Sequence, residues 1–497
     1  MNITTKSNQL ILALLVLLFS LMLACKSKEE IITPPNQPPG NFNVTSTLST
    51  NGQDVILRWT KSKDPDGDLV TYAVVYKDTL VKNLSDTTYT IKSLPFETEI
   101  KGSIVAKDTK GSKTVSSFSV LTGMDYIAIP DVNFEKILIK LRIDDIQDGK
   151  ILRKNTTNVT SLVLTNTSGI DADKIKSLTG IEAFTNLEDL ICFRNLLTSM
   201  DVSKNTNLKT LYLNENQLTS LDISKNSGLL LLGCNDNNLT SLDVSKNTML
   251  ASLSCYGNKL ISLDVSNNLM LLKLYCNNNQ LISLDVSKNT SLTVLYCGGN
   301  LLTNLEVGNS IKLDEFGCES NKLKSLDVSK NTALTGLRCS NNQLATLDLS
   351  KNIALTDLTC SYNQITGLDL SKNVRLQKLN FTSNKITTLD LSQNKDLTVV
   401  EGETNLLSNI DVSKNVSLVI LNCLENKLTT LDVTQNTKLS TLDCSNNQLT
   451  NFDVRKNVVL TYLNCSLNKI QTICVNSLSQ EKSLWYKDKT ATYKVCP

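Results

Sequence analysis

The chain has 497 residues, enough for two or three domains or for one domain followed by a repeat array. Lys and Arg number 50 against 48 for Asp and Glu, so no net charge favours binding to nucleic acid. The chain contains no histidine, which removes the commonest general base, the commonest metal ligand and every Ser–His or Cys–His nucleophile. The composition therefore predicts a protein that is not an enzyme, carries no cofactor and has no nucleic acid partner.

The N-terminus has the features of an export signal. Lys6 supplies a positive charge, and the apolar run from Leu10 to Ala24, 15 residues long, is short for a membrane span but typical of a signal peptide. The run ends in LMLAC, which resembles a bacterial lipobox, although Met22 stands where the commonest lipobox has leucine. This resemblance implies that residues 1–24 are removed and that Cys25 is lipidated and anchors the chain to a membrane. An ordinary cleaved signal peptide is the alternative.

Residues 25–40 are predicted to form a lipidated, Pro-rich tether. KSKEE directly after Cys25 resembles the charged surface-export tags of some Gram-negative lipoproteins. The resemblance implies an outer-membrane anchor exposed at the cell surface, whereas a simple solvated charge run is the alternative. Because KSKEEIITPPNQPPG is polar and rich in proline, we expect it to be extended rather than packed.

Residues 41–122 show the alternation of a small β-sandwich. VILRW places Val55, Leu57 and Trp59 on one face, and YAVVY, YTI and SIVA continue the pattern between turn signals. The segment resembles a fibronectin type III domain, because Trp59 matches the early core tryptophan of that family and LPFETEIKGSIVAKD its later strand pair. Ile100 stands where the family has its corner tyrosine, so the sequence predicts the sandwich class without specifying the strand topology.

The DPDGD loop raises the question of a calcium site. Asp64, Asp66 and Asp68 present alternating carboxylates, as calcium loops do. The loop lacks the remaining ligands of an EF-hand, including a glutamate at the twelfth position. A solvated turn is the better interpretation, so no metal site is predicted.

Residues 123–186 are predicted to cap a repeat array. IPDVNFEKILIKLRI carries Phe134, Ile137, Leu138 and Leu141 at helical spacing, which predicts a short amphipathic helix. VTSLVL and KSLTGIEAF then read as degenerate repeats. The first unit of an array has no neighbour to cover its core, so irregular units are expected there.

Residues 187–470 repeat with a period of 21 residues. The first half of each unit reads LxxLxCxxNxL and the second LxxLDVSxNxxL, and the asparagine of the first half recurs 14 times. The series is Asn195, Asn216, Asn237, Asn258, Asn279, Asn300, Asn321, Asn342, Asn363, Asn384, Asn405, Asn426, Asn447 and Asn468. This is the leucine-rich-repeat pattern, and it resembles the internalin-like bacterial subfamily with nested 21-residue units. A mainly β solenoid of about 14 rungs follows, one rung per repeat.

The consensus assigns a role to each repeat position. Leucines enter the core, a short strand of each rung pairs with the next, and asparagine side chains bond backbone groups at the bends. The second half imitates the first, so a second row of short strands is an open expectation. Its aspartates, such as Asp243 and Asp264, alternate with lysines that offset their repulsion, which disfavours a calcium-binding row.

Eleven cysteines occupy one repeat position, which Leu213, Phe381 and Gly402 fill in the remaining rungs. The apolar substitutes indicate an inward position, where thiols pack as small hydrophobic groups. Strand spacing exceeds the Cβ separation of a relaxed disulfide, so a thiol row is favoured over strained disulfides or a soft-metal stack. In the C-terminal cap, residues 471–497, Cys474 and Cys496 lie outside this row and are candidates for a disulfide, since an exported chain meets oxidising conditions.

Exposed tyrosines are the candidate ligand-binding residues. They flank the core positions of the strands and stand among Ser, Asn, Gly and acidic residues; they are Tyr212, Tyr256, Tyr275, Tyr296, Tyr362 and Tyr462. Such a surface resembles an adaptable protein-binding face, and tyrosines also stack on sugar rings. Scattered surface aromatics are the plain alternative.

Three function classes follow. A lipid-anchored, non-catalytic recognition or adhesion protein that binds a protein partner through the concave face is favoured. A carbohydrate-binding or scaffolding accessory of a surface uptake system is the alternative. A glycosidase would need a singular carboxylate pair, and the recurring aspartates provide none.

Overall fold

The computed structural model describes residues 33–166 and 169–497, which fall into two compact units divided after Asp125. The predicted signal peptide, Cys25 and the KSKEE run lie outside the described residues. Within the described ranges, no helix has both the length and the apolar character needed to cross a membrane.

The first unit consists of two antiparallel sheets. Its strands are β1 (Val44–Leu48), β2 (Val55–Trp59), β3 (Thr71–Tyr76), β4 (Asp78–Leu84), β5 (Thr88–Ile91), β6 (Glu99–Lys107) and β7 (Lys113–Leu121). They pair in the orders β1-β2-β5 and β4-β3-β6-β7. The alternation in β2 buries Val55, Leu57 and Trp59, and the Trp59 ring lies 5.5 Å from that of Tyr72. One apolar core therefore lies between the sheets.

The end of the predicted tether packs on this unit, which differs from the expectation of a free extended segment. Asn36 Nδ2 donates to Asp108 Oδ2 at 2.8 Å, and the Gly40 N–H donates to the Lys63 carbonyl at 2.9 Å. The Thr114 hydroxyl also donates to the Pro39 carbonyl. Proline leaves the backbone carbonyls of this segment free to accept hydrogen bonds from the sandwich.

The second unit begins with a cap. Helix α1 (Val132–Lys140) is preceded by Asp131, whose side chain accepts the N–H groups of Asn133 and Phe134. The remaining elements of the cap are β8 (Tyr126–Ala128), β9 (Lys150–Leu152), α2 (Arg153–Thr156), β10 (Ser161–Val163) and two 3-10 turns, Asp171–Asp173 and Ile181–Ala183. Phe134 and Leu138 are fully buried, whereas Leu141 is 44% exposed because the helix ends before it. The amphipathic helix thus forms, with a shorter apolar face than predicted.

The repeats build one parallel sheet of 16 strands that starts at β10. The strands are β11 (Asp189–Ile191), β12 (Thr210–Tyr212), β13 (Leu231–Gly233), β14 (Ser252–Ser254), β15 (Lys273–Tyr275), β16 (Val294–Tyr296), β17 (Glu315–Gly317), β18 (Gly336–Arg338), β19 (Asp357–Thr359), β20 (Lys378–Asn380), β21 (Val399–Glu401), β22 (Ile420–Asn422), β23 (Thr441–Asp443), β25 (Tyr462–Asn464) and β27 (Trp485–Tyr486). Equivalent residues pair in register, so Leu253 lies opposite Leu274 and Tyr275 opposite Tyr296. The fold is the predicted mainly β leucine-rich-repeat solenoid.

A second row of strands forms only at the C-terminal end of the described residues. It consists of β24 (Asn451–Asp453), β26 (Thr472–Val475) and β28 (Thr492–Val495). Elsewhere the second half of each repeat is a turn, in which Asp264 Oδ1, for example, accepts the Ser266 N–H at 2.8 Å. Asp453 Oδ1 accepts the Arg455 N–H at 2.9 Å in the same way, although it ends β24, so this turn is compatible with a strand. The expected second row is therefore present in the last rungs, and the second half-repeats before them form turns.

Two ladders of asparagines satisfy the bends. In the front ladder, formed by the 14 asparagines of the first half-repeat, Asn258 Nδ2 donates to the Cys234 and Cys255 carbonyls at 2.9 and 3.1 Å. Its Oδ1 accepts the Leu239 N–H at 3.0 Å. In the back ladder, formed by the asparagines of the second half-repeat, Asn247 Nδ2 donates to the Ile223 and Asn226 carbonyls at 3.1 and 2.9 Å. Buried backbone groups are thereby paired from rung to rung.

In the C-terminal cap, other residue types bond the backbone of the last repeat. Gln480, within the 3-10 turn Leu478–Gln480, donates to the Val454 carbonyl at 2.7 Å, in the manner of the back ladder. Asp488 accepts the N–H groups of Leu467 and Asn468, each at 2.9 Å. The structure joins Cys474 to Cys496, whose Cα atoms are 5.4 Å apart, and this bond ties β28 to β26.

Candidate interaction surface

The cysteine row is part of the core. The eleven thiols are free and buried, and Leu213 and Phe381 occupy the same inward position in other rungs. We call this the ladder position. Burial raises the pKa of the Cys255 thiol well above its ordinary value, and the neighbouring thiols Cys234 and Cys276 add to the effect. Protonated, water-excluded thiols do not act as nucleophiles, so this row is scaffold.

The outward side chains of the sheet form what we call the strand face. In each rung it comprises the two residues on either side of the inward strand residue and the residue after the ladder position. In β15 these are Lys273, Tyr275 and Asn277. Because the register is constant, equivalent residues of successive rungs lie side by side.

Tyr275 and Tyr296 form a stacked pair on the strand face. Their ring centroids are 5.8 Å apart and their planes differ by 7°. Beyond Tyr296, Arg338 lies with its guanidinium carbon 5.7 Å from the ring centroid. The Tyr296 hydroxyl donates to Glu315 Oε2 at 3.2 Å, and burial together with this carboxylate raises the pKa of Tyr296. The two rings are therefore held in one orientation as a rigid ridge.

The other predicted tyrosines are dispersed. Tyr212 shares the position of Tyr275 but lies three rungs away, and its ring covers Gly233, where an added Cβ would be 2.6 Å from Tyr212 Cδ1. Tyr256 follows its cysteine instead of preceding it. Tyr362 lies in a bend with φ of 52° and is 59% exposed, while Tyr462 donates to Asp443 Oδ2 at 3.3 Å. The predicted set is thus one pair and several separate residues.

A hollow of about 570 Å³ opens on the strand face beside this pair. Glu315 lies at one end, in β17, and Glu401 at the other, in β21; Arg338, Asp357 and Lys378 line the space between them. Gly336 contributes to the floor, because an added Cβ there would be 2.8 Å from the Glu315 carboxyl carbon. The sequence pattern places acidic residues among the tyrosines but does not indicate the hollow.

Comparison with known proteins places the chain in a family. No protein-family model and no curated protein sequence matches it. Among solved structures, the functional domain of InlJ from Listeria monocytogenes, which includes a cysteine ladder, is 32% identical over 71% of this chain and 83% of that one, with a TM-score of 0.61. This chain belongs to the internalin-like leucine-rich-repeat proteins.

Two further structures are similar at lower identity. The internalin InlF from Listeria monocytogenes is 23% identical, covering 74% of this chain and 96% of that one with a TM-score of 0.47. The plant peptide hormone receptor RGFR1, solved in complex with RGF2, is 20% identical, covering 65% and 63% with a TM-score of 0.53. The plant receptor shares the fold.

The back of the internalin-like solenoid carries the recurring aspartates, which we call the back row. Each holds its own turn: the Ser266 N–H and hydroxyl lower the pKa of Asp264, and Ser245 does the same for Asp243. Two hollows lie along this side: Asp411 and Asp432 line one of about 650 Å³, and Asp348 and Asp369 line one of about 620 Å³. The repetition of the turn in nearly every rung accounts for these carboxylates structurally.

In the first unit, the DPDGD carboxylates do come together. One oxygen from each of Asp64, Asp66 and Asp68 lies within 4.8 Å of the others. Asp64 Oδ1 accepts the N–H groups of Asp66 and Asp68 at 2.9 and 3.2 Å, and Lys110 Nζ lies 3.0 Å from Asp68 Oδ2. The carboxylates thus hold the turn and pair with a lysine of this chain, which favours the turn interpretation.

Proposed function

We propose that this internalin-like protein is a non-catalytic recognition module that binds a protein partner through its strand face. The observation that carries the proposal is the stacked pair Tyr275–Tyr296, fixed by Arg338 and Glu315. Rigid, partly exposed tyrosines lose little conformational entropy on binding and are typical anchors of protein interfaces. The plant protein of the same fold is a peptide hormone receptor, so the fold accommodates peptide recognition.

The stacking geometry supports a protein ligand over a glycan. A sugar ring stacks on the open face of an aromatic ring. The Tyr275 and Tyr296 rings cover each other, and the Arg338 guanidinium covers the far face of Tyr296. Three of the four ring faces are therefore covered, and the outer face of Tyr275, beside Ser254, is the one left for a sugar ring. The pair otherwise presents ring edges and hydroxyl groups, which suit a protein surface better.

The proposal includes the location of the protein. We infer that residues 1–24 are a signal peptide, that Cys25 is lipidated, and that the fibronectin type III-like unit and the solenoid are displayed at the surface of a Gram-negative cell. The division of the first unit into sheets of three and four strands supports the fibronectin-like assignment. Palmitate labelling that is lost in Cys25→Ala tests the anchor. Labelling that persists in that variant would exclude it.

Site-specific photo-crosslinking tests the binding face. A photoreactive residue is placed at Tyr275 and, as a matched control, at the exposed Thr366 on the back of a rung. After irradiation in a mixed protein extract, we expect defined protein adducts from position 275, few from 366, and their loss when Tyr296→Ala is added. Equal labelling from both positions would reject the strand face. Binding to a glycan array that needs both tyrosines would replace the protein ligand with a carbohydrate.

A further inference from the structure

The strand face between β16 and β23 has a charge unlike that of the whole chain. Its outward positions hold six carboxylates and two cations, whereas the complete chain has a formal net charge of +2. The carboxylates are Glu315, Glu319, Asp357, Glu401, Glu403 and Asp443; the cations are Arg338 and Lys378. This part of the sheet is therefore a negatively charged surface in a nearly neutral protein.

Neutral donors, rather than cations, hold most of these carboxylates. Asn380 Nδ2 donates to Glu401 Oε2 at 2.7 Å, and Asn422 Nδ2 donates to Glu403 Oε2 at 2.6 Å. An amide donor fixes the direction of a carboxylate but leaves its charge in place. The negative charge is thus oriented before any partner arrives, which reduces the entropy cost of binding.

The two cations are already engaged. Lys378 Nζ lies 3.5 Å from Asp357 Oδ1, and the Arg338 guanidinium covers the Tyr296 ring. Among the residues that the structure describes, no ion pair within 4.0 Å reaches Glu315, Glu319, Glu401 or Glu403. Within the described ranges, the six carboxylates therefore keep an excess of negative charge over the two cations.

Glycines on three successive rungs lower the surface around these carboxylates. Gly298, Gly317 and Gly336 are separated by 19 residues, two fewer than the repeat period. The three positions without a side chain therefore form a diagonal line across neighbouring strands. An added Cβ at Gly298 would be 2.7 Å from the Glu319 carboxyl carbon. Glu319 Oε2 is buried there without a hydrogen-bond partner among the described residues. Because this oxygen is covered, Glu319 contributes its negative charge to the surface rather than an accessible hydrogen-bond acceptor.

We propose that the strand face from β16 to β23 binds an extended, Lys- or Arg-rich segment of the protein partner. This inference rests on the proposed function and specifies the chemistry of its ligand. The hollow of about 570 Å³ leaves room for side chains between Glu315 and Glu401. Guanidinium and ammonium groups supply donors for the free lone pairs of the amide-held carboxylates Glu401 and Glu403, and their charge complements that of Glu319.

The back row provides an internal control. Asp348 and Asp369 line a hollow of about 620 Å³ on the other side of the solenoid, which is similar in size. A lysine follows each of them three residues later, as Lys351 and Lys372, and offsets the charge. The two sides therefore differ in net charge, although both carry carboxylates, and the strand face is the side that is complementary to a cationic segment.

Fluorescence polarisation with defined peptides tests the inference on the full chain. The probes are a labelled peptide that alternates Gly with Arg and matched peptides that carry Glu or Ser in place of Arg. We expect the cationic probe alone to bind and its affinity to fall with added salt. Glu401→Gln combined with Glu403→Gln keeps both acceptors for Asn380 and Asn422, and should weaken binding by about three- to tenfold.

The matched control is Asp348→Asn combined with Asp369→Asn, which should leave binding unchanged. Equal weakening by both pairs would overturn the inference, as would failure of the cationic probe to bind. If the cationic probe fails to bind, the proposed protein-binding function still stands, because crosslinking at Tyr275 reports partner binding independently of the Arg peptide. Partner adducts that survive Glu401→Gln with Glu403→Gln would leave the tyrosine pair as the binding element and reject the cationic segment.

Discussion

The pair Phe381 and Gly402 offers the sharpest test of how the core is packed. Both occupy the ladder position, in successive rungs where most others have cysteine. The Phe381 ring extends over the next rung: an added Cβ at Gly402 would be 2.6 Å from Phe381 Cε2 and 2.8 Å from Cε1. The glycine therefore makes room for the phenylalanine, and the two departures from the consensus depend on each other.

The structure sets the magnitudes. Gly402→Cys alone inserts a side chain into the space of a fully buried ring, and overpacking of this kind costs about 1–3 kcal/mol. Phe381→Cys alone leaves a cavity, and by analogy with Phe→Ala its cost is about 2–4 kcal/mol. The double variant restores the consensus in both rungs and should fall within ~1 kcal/mol of the wild type. The coupling free energy is then at least about 2 kcal/mol.

A double-mutant cycle measures this coupling. Because a repeat array need not unfold in one step, hydrogen exchange of the Gly402 N–H, which donates to the Asn422 carbonyl at 2.8 Å, reports the local free energy beside urea unfolding. Gly402→Ala is a second variant that places a small side chain against the Phe381 ring. Single substitutions whose costs simply add in the double variant would refute the packing argument.

Four further outcomes are expected. Asn258→Ala should lower the free energy of unfolding by about 3–5 kcal/mol, because the Leu239 N–H and two backbone carbonyls lose their hydrogen-bond partner. Asn247→Ser should lower it by only about 1–2 kcal/mol, because two carbonyls are affected and the serine hydroxyl can still donate. Urea unfolding and hydrogen exchange of the Leu239 amide measure both variants, and equal losses would contradict the ladder assignments. Iodoacetamide at mildly alkaline pH should leave the eleven ladder thiols of the native protein unmodified and alkylate them all after denaturation, counted by mass spectrometry. Cys496→Ser should lower the stability of the C-terminal cap by about 3 kcal/mol, since the disulfide closes a 22-residue separation; unchanged exchange protection of the cap would reject this. The pKa of Asp264 is lowered in the fold, so its contribution to stability is present above the ordinary carboxyl pKa and is lost as pH falls through the folded value; Asp264→Asn should remove that acid sensitivity in thermal scans.

Much of the fold could be predicted because the same residue types recur at the same repeat position in many rungs. Leu253, Cys255 and Asn258 recur at constant spacing, and their apolar or amide character is enough to place them in the core or at the bend. The second row of strands could not be derived in this way. Asp264 and Asp453 each accept the N–H two residues later, yet only Asp453 ends a strand, so the repeat pattern permits both conformations.

The candidate surface was predicted less completely, although the sequence held a usable signal. Tyr275 and Tyr296 are separated by 21 residues, one full period, and therefore stack; Tyr256 and Tyr275 are separated by 19, which displaces Tyr256 along its strand. The same interval of 19 relates Gly298 to Gly317 and Gly317 to Gly336. The side-chain contacts that these glycines permit depend on rotamers, which periodicity does not determine.

Repetition within the chain separates scaffold from recognition surface. The second half-repeat reads LDVS or a close variant in rung after rung, because each aspartate must hold the same turn and each back-ladder side chain the same carbonyls. The strand face obeys no such constraint, since its side chains point away from the core and need only tolerate their neighbours in the adjacent rungs. There the residues change from Tyr275 and Tyr296 to Gly317 and then Arg338. Because the fold does not determine these residues, they can vary to match the chemistry of a partner. The tyrosine pair and the carboxylates between β16 and β23 are therefore the residues to substitute first.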